Sequence, residues 1–343
     1  MSKKYGCLLA FVFFLLFISL AVNLGQFAIM AGDVDASGHF TKASPRKKFN
    51  ESVIEDAKGE SKAKIVHIDL DGIISSMSTE GFFMDALPDM HAIKRQLEQA
   101  VADENAKAVV LRINSPGGEV TASDILYDAV KKAAAKKPVV VYMDSMAASG
   151  GYYVACGATK IVASETTLTG SIGVIIETMS YHELFSKVGL GTQTFTSGAF
   201  KDSLSGARPM RDDEKAYVQN LVSQMYDRFL GIVSAARQQP ADLLKATVAD
   251  GRVVTGREAL NAKLVDQIGY VEDAYALARE LGKSPDAAVV KYRHEVSLFD
   301  ALGLATARSA SAQPVKVEVG LGGGALPRLQ PGVLYYLPSI FAR

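Results

Sequence analysis

Ser149 has the surroundings in this 343-residue chain that best suit covalent chemistry. An apolar, β-branched run that begins at Val139 ends in small residues, and Gly150 and Gly151 follow the serine before a helical pattern starts. This order predicts a sharp strand-to-helix turn that exposes the serine hydroxyl beside the Gly150 N–H. Such an N–H can stabilise the negative oxygen that forms when a serine attacks a carbonyl. An ordinary serine N-cap is the alternative interpretation.

A second turn could supply another backbone N–H. The sequence Asn114-Ser-Pro-Gly-Gly118 follows a predicted strand. Its proline fixes φ, and its glycines allow a bound carbonyl to approach the backbone closely. The turn therefore predicts an oxyanion donor, and the choice between Gly117 and Gly118 stays open, as does a plain Pro-Gly turn. A third small-residue turn, Thr167–Val174, precedes another apolar run.

Either a histidine or a lysine would take the proton of Ser149. Of the five histidines, only His182 has a spacing from the serine that merits consideration, and it opens a run typical of a surface helix. Lys201 lies among small and aromatic residues. Burial there could lower its pKa from about 10.4 towards neutrality. The residues alone leave both bases open, because a solvated side chain gives the same pattern.

Four motifs, in this order along the chain, resemble those of the signal peptide peptidase A family, the protease IV-like serine peptidases, in its short single-domain type. They are Asn114–Gly118, Asp144–Tyr152, Thr169–Val174 and Phe200–Lys201, and Gly251–Leu260 with Leu264–Asp266 add a weaker likeness. The similar region extends from Ala63 to Leu281. One motif alone is weak, whereas four in order are specific.

The resemblance implies a serine endopeptidase with a Ser/Lys dyad, in which Ser149 is the nucleophile and Lys201 the general base. It also implies that Ser171 holds the lysine by a hydrogen bond and that the Gly118 and Gly150 amides form the oxyanion hole. No metal or other cofactor is implied. The family further implies homo-oligomeric rings in which the serine of one subunit meets the lysine of its neighbour.

The elements that position these residues alternate between strands and helices. Predicted strands cover Ala63–Leu70, Ala108–Ile113, Val139–Met143, Lys160–Ala163 and Ile172–Ile175. Predicted helices cover Met90–Val101, Ser123–Ala135, Gly150–Cys156, Asp212–Arg237, Thr255–Lys263 and Val271–Leu281. This alternation predicts an α/β fold of βαβ units, and the resemblance implies the Clp protease/crotonase-like spiral. The apolar stripe on the helix 212–237, from Tyr217 to Ile232, predicts core packing.

The amino-terminal residues 1–32 predict a membrane anchor. The apolar run from Cys7 to Val22 covers about 24 Å as a helix, and extension to Met30 covers about 36 Å, against about 30 Å of hydrocarbon in a bilayer. A cleaved signal peptide is the alternative. Lys3 and Lys4 favour a cytoplasmic amino terminus, which places the remainder on the extracytoplasmic side of the inner membrane.

The remaining chain divides by composition. Residues 33–62 are polar and predict a tether, residues 63–292 predict the protease domain, and residues 293–343 form a C-terminal arm with glycines and prolines. The apolar tip of this arm, Val333–Leu337, could enter a peptide groove as a substrate mimic. The Gly-rich stretch before the tip provides the reach.

Composition argues against several function classes. Lys+Arg and Asp+Glu number 37 each, so no net charge recruits nucleic acid. The two cysteines match no metal spacing. Three functions then compete: a membrane-anchored endopeptidase for apolar peptides such as residual signal peptides, a crotonase-like acyl-CoA enzyme, and a catalytically silent membrane scaffold. The pairing of Ser149 with Lys201 favours the first.

Overall fold

The computed structural model describes residues 48–76, 89–293 and 335–336, together with six helical positions between residues 14 and 23. The chain divides into two units, Met1–Lys48 and Phe49–Arg343. Within these described parts, no helix is both long and apolar enough to cross a membrane. The predicted anchor over residues 1–32 lies mostly outside the described residues, as do the start of the predicted tether and most of the C-terminal arm.

Helices and strands alternate along the second unit. Strands β1 to β11 span Asn50–Glu55, Lys64–Asp71, Ala106–Ser115, Gly118–Glu119, Val139–Ala148, Lys160–Ala163, Leu168–Gly170, Val253–Thr255, Gln267–Ile268, Ala288–Arg293 and Tyr335–Tyr336. Helices α1 to α8 span Met90–Ala102, Val120–Ala134, Gly150–Ala155, His182–Lys187, Asp212–Arg237, Ala241–Thr247, Gly256–Asn261 and Val271–Leu281. The predicted strand over 172–175 is wrong, because the chain leaves the sheet after β7.

A mixed sheet forms the centre of this α/β unit. Its order is β1-β10-β2-β3-β5-β6-β9, while β7 pairs with the end of β5 and β8 pairs with β7. The pairs from β10 through β9 are parallel, whereas β1–β10 and β7–β8 are antiparallel. Helix α1 connects β2 to β3, and α3 lies between the parallel strands β5 and β6, which confirms the predicted βαβ units.

Strand β1 lies within the segment predicted as a tether. It pairs antiparallel with β10, from Asn50 opposite Arg293 to Glu55 opposite Val289, and an irregularity follows Val53. Charged and apolar residues mix along it because an edge strand leaves much of its length in solvent. Regular secondary structure therefore begins before residue 63, although β1 has no alternation of apolar and polar residues.

The central strands are buried on both faces. Along β3, Val109, Leu111 and Ile113 join the larger core beneath α1, α2 and α3. Their neighbours Ala108 and Val110 join a second core beneath α8. Successive side chains of a strand point to opposite faces, so burial of both faces produces the continuous apolar run seen in the sequence.

Helix α5 packs into the core over only part of its length. Phe229 and Ile232 are buried, but Tyr217, near the amino-terminal end, is 45% exposed. The ring of Tyr217 contacts Phe200 instead, with centroids 5.2 Å apart. The stripe predicted as core is thus core only in its second half, and its first half belongs to a more exposed surface.

Tyr152 of α3 provides a test of how firmly this short helix is fixed. Its side chain is fully buried, and its hydroxyl donates to the Leu264 carbonyl at 2.9 Å. Tyr152→Phe leaves that carbonyl without this donor, so we expect a loss of about 1–3 kcal/mol in the free energy of unfolding, measured in urea. Tyr142→Phe is the matched control, because the Tyr142 hydroxyl meets the partly exposed Ser164 hydroxyl. Equal losses in both variants would contradict the prediction.

Candidate active site

Ser149 occupies a strained turn between β5 and α3. Its φ is 52° and its ψ is −114°, values that non-glycine residues rarely adopt. The residue is 1% exposed, its side chain makes no capping hydrogen bond, and among the described residues its Oγ has no hydrogen-bond partner. The N-cap alternative is therefore wrong. A buried, unpartnered hydroxyl is costly, as is positive φ at a serine, so neighbouring contacts must hold this turn in place.

Strand β7 supplies those contacts. The Ser149 N–H donates to the Gly170 carbonyl at 2.8 Å, and Ala148 lies opposite Gly170 in the parallel pairing of β5 with β7. The Thr169 hydroxyl donates to the Ala147 carbonyl at 2.7 Å, and the Thr167 hydroxyl donates to the Asp144 carbonyl at 2.6 Å. These bonds fix the last residues of β5 from the neighbouring strand position. The small-residue segment 167–174 therefore holds the turn at Ser149 in place by hydrogen bonds.

Three glycines pack against the same turn. A Cβ on Gly117, whose φ is +107°, would lie 2.6 Å from the Gly150 nitrogen, and a Cβ on Gly150 would lie 3.0 Å from the Gly118 nitrogen. A side chain at Gly117 or Gly150 would therefore prevent the close approach of these two backbone segments. The Gly117 N–H donates to the Ser115 hydroxyl at 3.1 Å. The nitrogen atoms of Gly118 and Gly150 thus lie on neighbouring backbone segments.

Ser171 also lies at this turn. It directly follows Gly170, the acceptor of the Ser149 N–H, and it is 3% exposed. Its own φ is 49°, and its N–H donates to the Arg252 carbonyl at 2.8 Å. Two serines with positive φ therefore directly follow the ends of adjacent strands, β5 and β7, each with its N–H bonded to a neighbouring carbonyl.

Lys201 lies elsewhere in the chain, on residues 176–210, which we call the lysine segment. Its side chain is exposed, and its ammonium makes no hydrogen bond or ion pair with any described residue. Because the Ser149 Oγ has no partner among these residues, Lys201 is not within hydrogen-bond distance of it. One chain thus brings together Ser149, Ser171 and the glycine amides, but not the lysine.

Ion pairs fix the base of the lysine segment. The Arg208 guanidinium donates to both oxygens of Asp202, at 2.9 and 2.7 Å, and to Glu214 of α5 at 2.9 and 2.5 Å. Hydrogen bonds from Arg208 lower the pKa of Glu214 to about 2. The Arg211 guanidinium also donates to the Ala199 carbonyl at 2.9 Å. Sequence reasoning missed these residues, since an arginine six positions before a glutamate has no distinctive signal.

The lysine segment exposes many large apolar side chains. Phe195 is 93% exposed and Met179 is 79% exposed. Others that are at least one-third exposed are Tyr181, Leu184, Val188, Leu190 and Phe200. Exposed apolar side chains in this number favour an interaction site on the lysine segment.

None of the described histidines contacts Ser149. His182 pairs with the Ser180 hydroxyl at 2.8 Å, and His67 lies between Asp69 and the Tyr275 hydroxyl, each at 2.9 Å. His39 and His294 lie outside the described residues. Within the described ranges, no group of His, Cys, Asp and Glu could hold a metal ion.

Comparisons with known proteins point to proteases. The model for peptidase family S49 matches residues 131–284, and that for Clp protease matches residues 82–168. The chain is 35% identical over 253 residues to a protein assigned as signal peptide peptidase SppA in Enterococcus faecium, covering 74% of this chain and 73% of that one. It is 36% identical over 230 residues to a protein assigned as protease slr0021 of Synechocystis sp., covering 67% and 78%.

Two further likenesses are more partial. Protease 4 of Salmonella typhi is 36% identical over 206 residues, which cover 60% of this chain and 33% of that protein. A ClpP1 mutant from Listeria monocytogenes is 17% identical, with a TM-score of 0.40, and the match covers 61% of this chain and 93% of that one.

The backbone strain at Ser149 can be measured. Ser149→Gly and Ser149→Ala both remove the hydroxyl, but only glycine adopts this φ and ψ without strain, so we expect Ser149→Gly to unfold with a free energy about 1 kcal/mol higher than Ser149→Ala. Ser123, within α2, is the matched control: there glycine should be about 1 kcal/mol less stable than alanine. The same order of stability at both positions would show that the turn is not strained.

Proposed function

This chain belongs to peptidase family S49, and we propose that it is a membrane-anchored serine endopeptidase that uses a Ser/Lys dyad. The observation that carries the proposal is the buried, unpartnered Ser149 hydroxyl at the turn where the backbones of Gly118 and Gly150 approach each other. Both matched family models describe proteases, which argues against the crotonase-like acyl-CoA enzyme.

In the proposed reaction, Ser149 Oγ attacks the peptide carbonyl while its proton passes to the neutral amine of Lys201. The carbonyl oxygen becomes negative and accepts hydrogen bonds from the N–H groups of Gly118 and Gly150. Collapse of this intermediate breaks the C–N bond, and the lysine returns the proton to the leaving amine. Water, deprotonated by the same lysine, then hydrolyses the acyl-enzyme. Ser171 would orient the lysine by a hydrogen bond.

We place Lys201 of a neighbouring subunit at Ser149. Within one chain, Lys201 is exposed on a segment whose base is fixed by the ion pairs of Arg208. The segment also exposes many apolar side chains. A homo-oligomeric ring would cover that surface and bring each lysine to the next serine.

Membrane attachment completes the proposal. The apolar residues 1–32 would form a single transmembrane helix of the inner membrane, with the protease domain on the extracytoplasmic side. There the enzyme would meet apolar peptides such as residual signal peptides. An extended peptide could pair with the backbone beside Gly118.

The base can be tested by substitution. Lys201→Ala and Lys201→Arg should both abolish peptide hydrolysis, because arginine does not release its proton near neutral pH. Lys187→Arg, also on the lysine segment, is the matched control and should retain activity. Full activity in Lys201→Arg, or a loss in His182→Ala as large as in Ser149→Ala, would favour histidine instead. If Lys201→Ala, Lys201→Arg and Ser149→Ala all retained full peptide hydrolysis, the proposed function would be overturned.

A shared site predicts complementation between inactive variants. Ser149→Ala and Lys201→Ala should each be inactive alone, but mixed rings contain some junctions where an intact serine meets an intact lysine. With random, equal mixing, about a quarter of wild-type activity should return, by the symmetry of head-to-tail contacts. Oligomers that are well mixed by mass photometry but remain inactive would place the dyad within one chain.

Substrate preference follows from the small residues around the serine. We expect the peptide-binding groove at Ser149 to accept extended peptides with apolar or small side chains, since burial of an unpaired charge costs several kcal/mol. A peptide library analysed by mass spectrometry gives the profile. Cleavage dominated by Lys, Arg, Asp or Glu beside the cut would contradict this groove.

A further inference from the structure

One edge of β4, the strand that begins at Gly118, is paired with the segment that follows β2. Ile74 of that segment forms a parallel bridge with Gly118. The Ile74 N–H donates to the Gly117 carbonyl at 2.8 Å, and the Ile74 carbonyl accepts from the Glu119 N–H at 2.8 Å. Because the backbone groups of successive residues in a strand point to opposite edges, the Gly118 N–H faces away from Ile74. The pairing with Ile74 thus fixes the direction of that N–H.

The two backbones approach each other closely at this point. A Cβ on Gly118 would overlap the Ile74 carbonyl oxygen and would lie 2.7 Å from the Ile74 nitrogen. Gly150 packs against the same strand, since a Cβ on Gly150 would lie 3.0 Å from the Gly118 nitrogen. In such close packing, a shift of residues 74–76 would move Gly118 relative to Gly150 and to the turn at Ser149.

The Glu119 carboxylate joins this segment to β4. Its Oε1 accepts a hydrogen bond from the Ser75 hydroxyl at 2.6 Å, and its Oε2 accepts from the Ser76 N–H at 3.0 Å and from the Ser76 hydroxyl at 2.5 Å. Burial raises the pKa of the Glu119 carboxyl, but these hydrogen bonds lower it by more, so that the pKa lies below its usual value. Charge-assisted bonds to two consecutive residues hold the segment more firmly than bonds to a neutral acceptor would.

Helix capping does not explain the glutamate at this position. Glu119 is the N-cap residue of α2, yet its side chain makes no capping hydrogen bond. Its carbonyl accepts from the Ser123 hydroxyl at 2.8 Å. The usual N-cap residues are Ser, Thr, Asp and Asn, whose short side chains reach the first N–H groups of the helix. The longer Glu119 side chain instead reaches Ser75 and Ser76 across the strand pairing.

We propose that Glu119 is a positioning residue for the reaction at Ser149: it holds residues 74–76 against β4, and Ile74 in turn orients the Gly118 N–H. This inference rests on the proposed function, in which that N–H stabilises the negative oxygen of the intermediate. Because Glu119 acts through the Gly118 backbone, its loss should weaken the transition state more than it weakens the binding of uncleaved peptide.

Steady-state hydrolysis of one peptide by full-length variants tests this role. In Glu119→Ala we expect kcat to fall by about 100-fold and KM to change by less than about threefold, because loss of a single oxyanion donor lowers kcat by about 10²–10³. Glu119→Gln keeps one acceptor oxygen but replaces the other by an NH₂ donor, so its kcat should fall by only about tenfold.

The matched control is Glu258→Ala. The Glu258 carboxylate also accepts from a backbone N–H and a hydroxyl, both of Thr255, at 2.8 and 3.0 Å. It does so at the start of α7, in a capping box. We expect Glu258→Ala to lower the melting temperature, since it loses a helix cap, and to keep kcat within about threefold of the wild-type value.

A pair of inhibitors separates the oxyanion from peptide binding. With a peptide aldehyde, Ser149 Oγ bonds to the aldehyde carbon, the π electrons of the C=O bond move to its oxygen, and the serine proton passes to the Lys201 amine. The corresponding peptide alcohol binds without this bond. We expect Glu119→Ala to weaken inhibition by the aldehyde by about 30-fold and inhibition by the alcohol by less than about threefold.

Two results would overturn the positioning role. One is a folded Glu119→Ala chain that has a lower melting temperature but unchanged kcat and unchanged aldehyde affinity, which would make Glu119 a structural residue only. The other is equal weakening of the aldehyde and the alcohol, which would assign the effect to peptide binding. If Glu119→Ala fails to fold, Glu119→Gln provides the same comparison, and equal weakening there also overturns the role.

Wild-type turnover separates this inference from the proposed function. If the wild-type enzyme hydrolyses the peptide and Glu119→Ala does so with the same kcat, the positioning role is contradicted and the peptidase stands. If the wild-type protein neither hydrolyses peptides nor distinguishes the aldehyde from the alcohol, the peptidase is contradicted, and the positioning role with it.

Discussion

The structure depends on one strained junction, the left-handed backbone of Ser149 at the end of β5. A serine at φ 52° with a buried, unpartnered hydroxyl is costly by itself. The cost is offset by β7, whose Gly170 carbonyl accepts the Ser149 N–H and whose Thr169 hydroxyl holds the preceding carbonyl. Because β5 lies at the centre of a parallel sheet buried on both faces, the turn cannot relax without disturbing the core. The fold thus holds the serine in a conformation that the local sequence alone would not maintain.

Local sequence signals predicted most of the elements that bear this junction. Small residues mark Ser149 and the glycine turn because both need close backbone approach, and apolar runs mark the strands because both sheet faces are buried. The same signals fail where a partner lies far away in the chain. Strand β1 shows no alternation of apolar and polar residues because it forms an edge of the sheet. The first half of α5 is more exposed than a core helix because Phe200 of the lysine segment, and not the sheet, packs against its Tyr217.

Two features of the structure could not be derived from spacing. Ion pairs of Arg208 with Asp202 and Glu214 fix the base of the lysine segment, and no sequence motif indicates them. The rings of Tyr153, Phe229 and Tyr336 pack against one another, although long stretches of sequence separate these residues. In both cases the residue types are common in proteins, and the contacts form only because the fold brings distant residues together.

The central claim, that Ser149 is an activated nucleophile, can be tested most directly by covalent labelling with a fluorophosphonate probe. The labelled residue is identified by peptide mass spectrometry in the wild-type protein and in Ser149→Ala. The account predicts modification at Ser149, its loss in Ser149→Ala, and a strong reduction in Lys201→Ala. Labelling that persists undiminished in Ser149→Ala, or that maps to another residue, would contradict it.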